Sequence, residues 1–119
     1  MIIQSHKIND TEVAEIISEE IIIHNVDDAL NLLGNVYFQG FDKMIIHQRN
    51  LTADFFDLKN KMAGEILQKF SNYRIRLAIV GDFSTFSSKS LNDFIYESNK
   101  RKHINFINSV NEALSVLRK

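Results

Sequence analysis

Three side chains stand where open α/β folds do their chemistry: His24, His47 and Asp82. Each closes, or nearly closes, a short apolar run: "IIIH" (21–24), "MIIH" (44–47) and "LAIV" (77–80), the last followed by Gly81 and Asp82. If these runs are parallel strands, their carboxyl ends share one edge, and open α/β sheets bind ligands at that edge. Two imidazoles and a carboxylate, with Arg49 beside them, are donors that suit a metal or a small polar ligand. The competing reading is that each side chain bonds to loop backbone at its own strand end. Nothing in the spacing forces residues from three separate strands to converge.

The segment after Gly81 is the second candidate. "GDFSTFSSKS" (81–90) lies between an apolar run and a helical pattern, which is the layout of many phosphate-binding loops. A phosphate loop of the G-x-x-x-x-G-K-[ST] type needs a second glycine, and none is present. Phe83 and Phe86 sit where backbone would curl around a phosphate, and Asp82 adds a charge of the wrong sign. No G-x-S-x-G elbow is present to expose a nucleophilic serine. The residues fit a helix cap better: Ser90 and Asp93 have capping-box spacing, and Ser87 is an alternative cap one turn earlier. Phe83 and Phe86 then serve as loop anchors or as a patch for a protein partner. Ser84, Ser87, Ser88 and Ser90 are candidate phosphorylation sites, since a helix N-terminus stabilises a phosphate.

Other charged groups have simpler explanations. Asp54 and Asp57 in "DFFDLKN" (54–60) are spaced to cap a helix rather than to form a catalytic carboxylate pair. The basic run "NKRKH" (99–103) suits a helix C-terminus. Gly64 inside a helical pattern costs up to about 1 kcal/mol relative to alanine, and predicts close packing there.

The elements that position these residues follow from hydrophobic period. The three apolar runs are continuous, as in strands covered on both faces. "HINFIN" (103–108) is a weaker strand, and the first residues with Val13 to Ile17 form an opening hairpin. Between them lie four helical stripes: Val26–Ala29–Leu30–Leu33, Leu58–Met62–Ile66–Phe70–Tyr73, Leu91–Phe94–Ile95–Ser98 and Val110–Ala113–Leu114–Leu117. Each is one face of an amphipathic helix. Alternating strands and helices predict an α/β fold, a mixed and mainly parallel sheet of four to six strands with about four helices. "HNVDDALNLL" (24–33) and "NSVNEALSVL" (108–117) echo each other, with Asn25 and Ser109 as caps and Asp28 and Glu112 in the first turns.

The totals narrow the function classes. The chain has 119 residues, no cysteine, no proline and a formal net charge of -1. One domain over residues 1–119 is expected, with neither disulfide nor thiol chemistry. The absence of a basic excess argues against nucleic acid as partner. No apolar run approaches the roughly 20 residues of a membrane span, and the N-terminus turns polar too early for a signal peptide. A cytoplasmic protein with no membrane association is expected.

The segments "DFFDL" (54–58), "AGEILQKF" (63–70), "LAIVGDFS" (77–84), "SKSL" (88–91) and "DFIYESN" (93–99) resemble the bacterial family catalogued as domain of unknown function 4180. "VDDALNLL" and "DKMIIHQRNL" extend the resemblance loosely into the first half. It implies no established activity. The element order is similar to the STAS domain, the SpoIIAA-like fold of anti-sigma-factor antagonists. There, a serine at a helix N-terminus after a central strand is the regulatory phosphosite. Here Leu58 follows Asp57 at the corresponding place, so that switch is not expected. The expectation is a regulatory or protein-interaction module, not an enzyme, with a protein partner and no cofactor. The alternative is a small-ligand or metal-binding protein, or a minor enzyme, using His24, His47, Asp82 and the 84–90 loop.

Overall fold

The computed structural model describes residues 1–101 and 103–118; Lys102 of the basic run and Lys119 lie outside the described residues. β1 (Ile2–Ile8) and β2 (Thr11–Ile17) form the opening hairpin. Its two-residue turn has Asn9 at φ 56, a left-handed conformation that asparagine tolerates well. Three strand–helix units follow: α1 (Val26–Phe38), β3 (Lys43–His47), α2 (Met62–Asn72), β4 (Arg76–Val80), α3 (Lys89–Arg101) and β5 (Ile104–Ile107), then α4 (Val110–Leu117). The five strands lie in chain order, β1-β2-β3-β4-β5. β1 is antiparallel to β2, and every other pair is parallel.

Side chains alternate across each strand, so the sheet has two chemically distinct faces. On one, Ala14, Ile16, Met44, Ile46, Leu77, Ile79 and Phe106 pack with the buried stripes of α1 and α2. Phe94 and Ile95 of α3 join this core. On the other face, Val13, Ile45, Ala78 and Val80 pack with Ala113 and Leu117 of α4. α4 lies on β3, β4 and β5. Arg76 donates to the carbonyls of Val116 and Leu117 and so caps the C-terminal end of α4.

The echo between residues 24–33 and 108–117 has its structural counterpart. Asn25 Oδ1 accepts from the Asp28 amide at 2.8 Å, and Ser109 Oγ accepts from the Glu112 amide at 3.1 Å. Three expectations are corrected. The run 21–24 is not a strand; its only ladder contact is an isolated parallel bridge between Ile23 and Leu51. α2 begins at Met62 rather than Leu58, because residues 48–60 are spent on three short 3-10 turns. Asp57 caps the last of these turns, and Asn60 Oδ1 takes the Met62 amide of α2. Finally, Gly64 has open space where a Cβ would go, not a close neighbour.

Residues 18–23 stay in place without strand pairing because Asn50 holds them. This fully buried side chain donates to the carbonyls of Ser18 and Glu20, both at 2.8 Å. The backbone carbonyl of Asn50 accepts from the amides of Ile22 and Ile23. Its Oδ1 accepts from the His47 amide at 3.3 Å. One amide thus ties the loop after β2 to the turn after β3, where the candidate site begins.

Two stability outcomes follow, each measured by chemical denaturation. Asn50→Ala removes the side-chain donor to the Glu20 carbonyl, one of two donors to the Ser18 carbonyl and the acceptor of the His47 amide, and lowers stability by about 1–3 kcal/mol. Gly64→Ala raises it by roughly 0.5–1 kcal/mol, since the helix gains and nothing is displaced.

Candidate functional site

The sheet brings one buried carboxylate between two imidazoles. Glu15 lies in the middle of β2, and by alternation it shares the α4 face with Val13. Its neighbours in the ladder are Gln4 on β1 and Ile45 on β3. His6, two residues along β1 from Gln4, is diagonal to it, and His47, two residues along β3 from Ile45, is diagonal on the other side. Nε2 of His6 is 2.7 Å from Glu15 Oε1, and Nε2 of His47 is 2.7 Å from Oε2. Glu15 is only 6% exposed, so its charge is compensated by these two rings rather than by bulk water. An ionised carboxylate only accepts hydrogen bonds, so each Nε2 must carry its proton.

Burial pushes the Glu15 carboxyl up, but hydrogen bonds from His47 and His6, with the charge attraction of both rings, outweigh it. The group is held below its ordinary range. The two Nε2 atoms address separate carboxylate oxygens rather than a common centre. Among the described residues, no group of three or more His, Asp or Glu side chains is placed to hold a metal ion.

His47 is also the entrance to a cleft at the carboxyl ends of β3 and β4. Its lining is His47, Gln48, Arg49, Val80, Gly81, Asp82, Ser84 and Asn108, around about 670 Å³. Gly81 is required here by close approach. A Cβ at this position would lie 2.6 Å from the Gln48 Cβ, and Gln48 Oε1 accepts the Asp82 amide at 3.1 Å. That bond joins the turns following the two strands and sets the floor of the cleft. Asp82 is held below the ordinary carboxylate range by the Ser84 hydroxyl, 2.6 Å away, and by the Ser84 amide. Arg49 is oriented by an Nε bond to the Ser18 carbonyl at 3.1 Å. The cleft therefore offers an imidazole, a guanidinium, a carboxylate and three neutral polar groups, Gln48, Ser84 and Asn108.

Of the residues singled out in the sequence, His47, Arg49, Asp82 and Ser84 do meet in this cleft. His24 does not. Its amide and Nδ1 bond to Asp28 Oδ2 at 2.9 and 3.0 Å, at the start of α1. Phe83 is buried, against Phe106 at 5.3 Å between centroids, and Phe86 stacks on Phe56 at 5.0 Å. The rings anchor the loop in the core. The cap of α3 is Ser88, whose Oγ accepts the Leu91 amide at 3.2 Å, rather than Ser90 or Ser87. Asp93 pairs with Lys89 instead of closing a capping box. Ser87 and Ser90 are exposed outside the cleft.

Glu15 and His6 are the site residues that sequence pattern missed. The signal was present: an acid flanked by apolar residues in "VAEII" needs a partner. The hairpin register then supplies His6.

Taken together, the fold and cleft define an open-sheet α/β domain with a polar site at the carboxyl edge of its parallel strands. The chain belongs to the family described as Domain of unknown function (DUF4180), whose model matches residues 8–117. No curated protein and no solved structure matches it. Among the described residues, no helix is long and apolar enough to cross a membrane.

The depressed Glu15 value fixes a pH dependence. A group more acidic in the folded than in the unfolded chain stabilises the fold above its unfolded value. That contribution is lost as pH falls through the folded value, on the acid side of the ordinary carboxylate range. Thermal melts from pH 7 down to 2.5 should show an acid-side loss that is smaller in Glu15→Gln than in the wild type.

Proposed function

We propose that the chain is a non-enzymatic regulatory module of STAS-like type that binds a small polar ligand in the cleft at the carboxyl ends of β3 and β4. One observation carries the binding part of this reading: His47 belongs at once to the cleft lining and to the Glu15 bridge. The buried carboxylate fixes the ring through Nε2 and leaves Nδ1 as its remaining hydrogen-bonding atom. A site of this kind is oriented before the ligand arrives, which lowers the ordering cost of binding.

The lining indicates the ligand class. Arg49 suits an anionic group, and Asp82, acidic and exposed, suits an ammonium or a hydroxyl donor. Small hydroxy acids and amino acids carry both. Binding is favoured over catalysis because the cleft hydroxyl, Ser84, donates to Asp82 and not to an imidazole base. The regulatory part rests on the likeness of element order to the STAS domain. Strands β2 to β5 lie side by side in chain order, and each is followed by a helix. In this reading the bound state is reported to a protein partner.

A thermal-shift panel of hydroxy acids and amino acids tests the proposal. A member present at a hundredfold excess over its Kd stabilises the fold by about 2.7 kcal/mol, enough to raise the melting temperature by several degrees. His47→Ala and Asp82→Asn each abolish the shift while leaving the unliganded protein folded by circular dichroism. A flat response across the whole panel contradicts the reading.

A further inference from the structure

The two edges of the sheet are treated differently. At the β5 edge, side chains of α3 take up the outward backbone groups. Asn99 Oδ1 accepts the Phe106 amide at 2.7 Å, and Asn99 Nδ2 donates to the Phe106 carbonyl at 3.3 Å. Ser98 Oγ donates to the Ile104 carbonyl at 2.7 Å. An asparagine amide here mimics a further strand, so this edge is closed to pairing. Among the described residues, the β1 edge has no such cover. β1 is seven residues long, regular along its whole length and paired with β2 alone. In an antiparallel ladder every second residue of such a strand turns its N–H and C=O outward. Ser5, Gln4 and Lys7 are exposed, and Ile2 is 65% exposed.

From this asymmetry we infer that β1 is an interface for a second copy of the chain, two β1 strands pairing antiparallel about a two-fold axis at Ser5 to give one continuous ten-stranded sheet. The sequence "IIQSHKI" is self-complementary in that register. Ile2 faces Ile8, Ile3 faces Lys7, Gln4 faces His6, and Ser5 faces Ser5. All seven residues are paired and no like charges are opposed. A register centred on Lys7 would set the two ammonium groups against each other, and one centred on Gln4 or His6 would leave part of the strand unpaired. A two-fold contact is isologous, so a single self-complementary strand suffices to build it. The pairing adds main-chain hydrogen bonds of the strand-addition type. Ile2 and Ile8, on the same face as His6, then cover each other. This inference is independent of the cleft, which opens at the far side of β3.

The absence of native cysteine makes the register directly readable. Sedimentation velocity on the wild type should show a concentration-dependent mass rising from 13.8 kDa toward twice that value. Ser5→Glu, which opposes two carboxylates on the axis, should weaken the dimer at least tenfold. Ser5→Cys should give a disulfide-linked dimer under mild oxidation, while Lys7→Cys, opposite Ile3, should remain a monomer on non-reducing gels. A wild type that stays monomeric at every concentration overturns the inference. So does a dimer indifferent to Ser5→Glu, or Lys7→Cys cross-linking as readily as Ser5→Cys. If Ser5→Glu does not fold, the cysteine pair alone decides.

Discussion

A buried negative charge is the constraint on which this molecule's first three strands depend. Glu15 occupies the middle of β2, flanked by strands on both sides and almost sealed from water. An isolated carboxylate there would be costly, and burial alone would favour its neutral form. The fold answers with two imidazoles, one from β1 and one from β3, each 2.7 Å from its own oxygen. The bridge thereby spans the hairpin and the start of the parallel sheet. A one-residue slip of either neighbour would carry its histidine to the opposite face, so the bridge also favours one register.

The same arrangement links the interior to the candidate site. His47 ends β3, its ring is held from below by Glu15, and its amide is held by Asn50. Asn50 in turn anchors residues 18–20, and Arg49 bonds to the Ser18 carbonyl. On the other wall, Gly81 allows Gln48 to approach and accept the Asp82 amide. The polar groups of the cleft are thus mounted on a bonded frame of turns rather than on free loops. The aromatic stack of Phe56, Phe83 and Phe86 fastens the loop that carries Ser84.

Much of the fold was legible from period and caps, for physical reasons that can be named. The apolar runs at 44–47 and 77–80 are strands because both sheet faces are covered there, by α1 and α2 on one side and α4 on the other. The Asn25 and Ser109 caps were visible because short polar side chains bond locally. The run at 21–24 failed as a strand because Asn50, a residue distant in sequence, takes the loop's backbone groups instead. His47, Arg49 and Asp82, singled out by the strand-end rule, and Ser84, singled out with its loop, line one cleft. Glu15 and His6 were not foreseen, since their pairing is set by hairpin register and not by any motif. His24 looked equivalent to His47 in sequence, yet without a true strand beneath it the ring turns to Asp28.

The central claim is that both imidazoles are locked, through protonated Nε2 atoms, to one buried carboxylate. Nitrogen-15 NMR of the histidine rings at neutral pH tests it most directly. The account predicts that His6 and His47 both carry a slowly exchanging Nε2 proton, and that Glu15→Gln perturbs the two rings together. Rings that average between tautomers like free histidine, and that ignore Glu15→Gln, would contradict it.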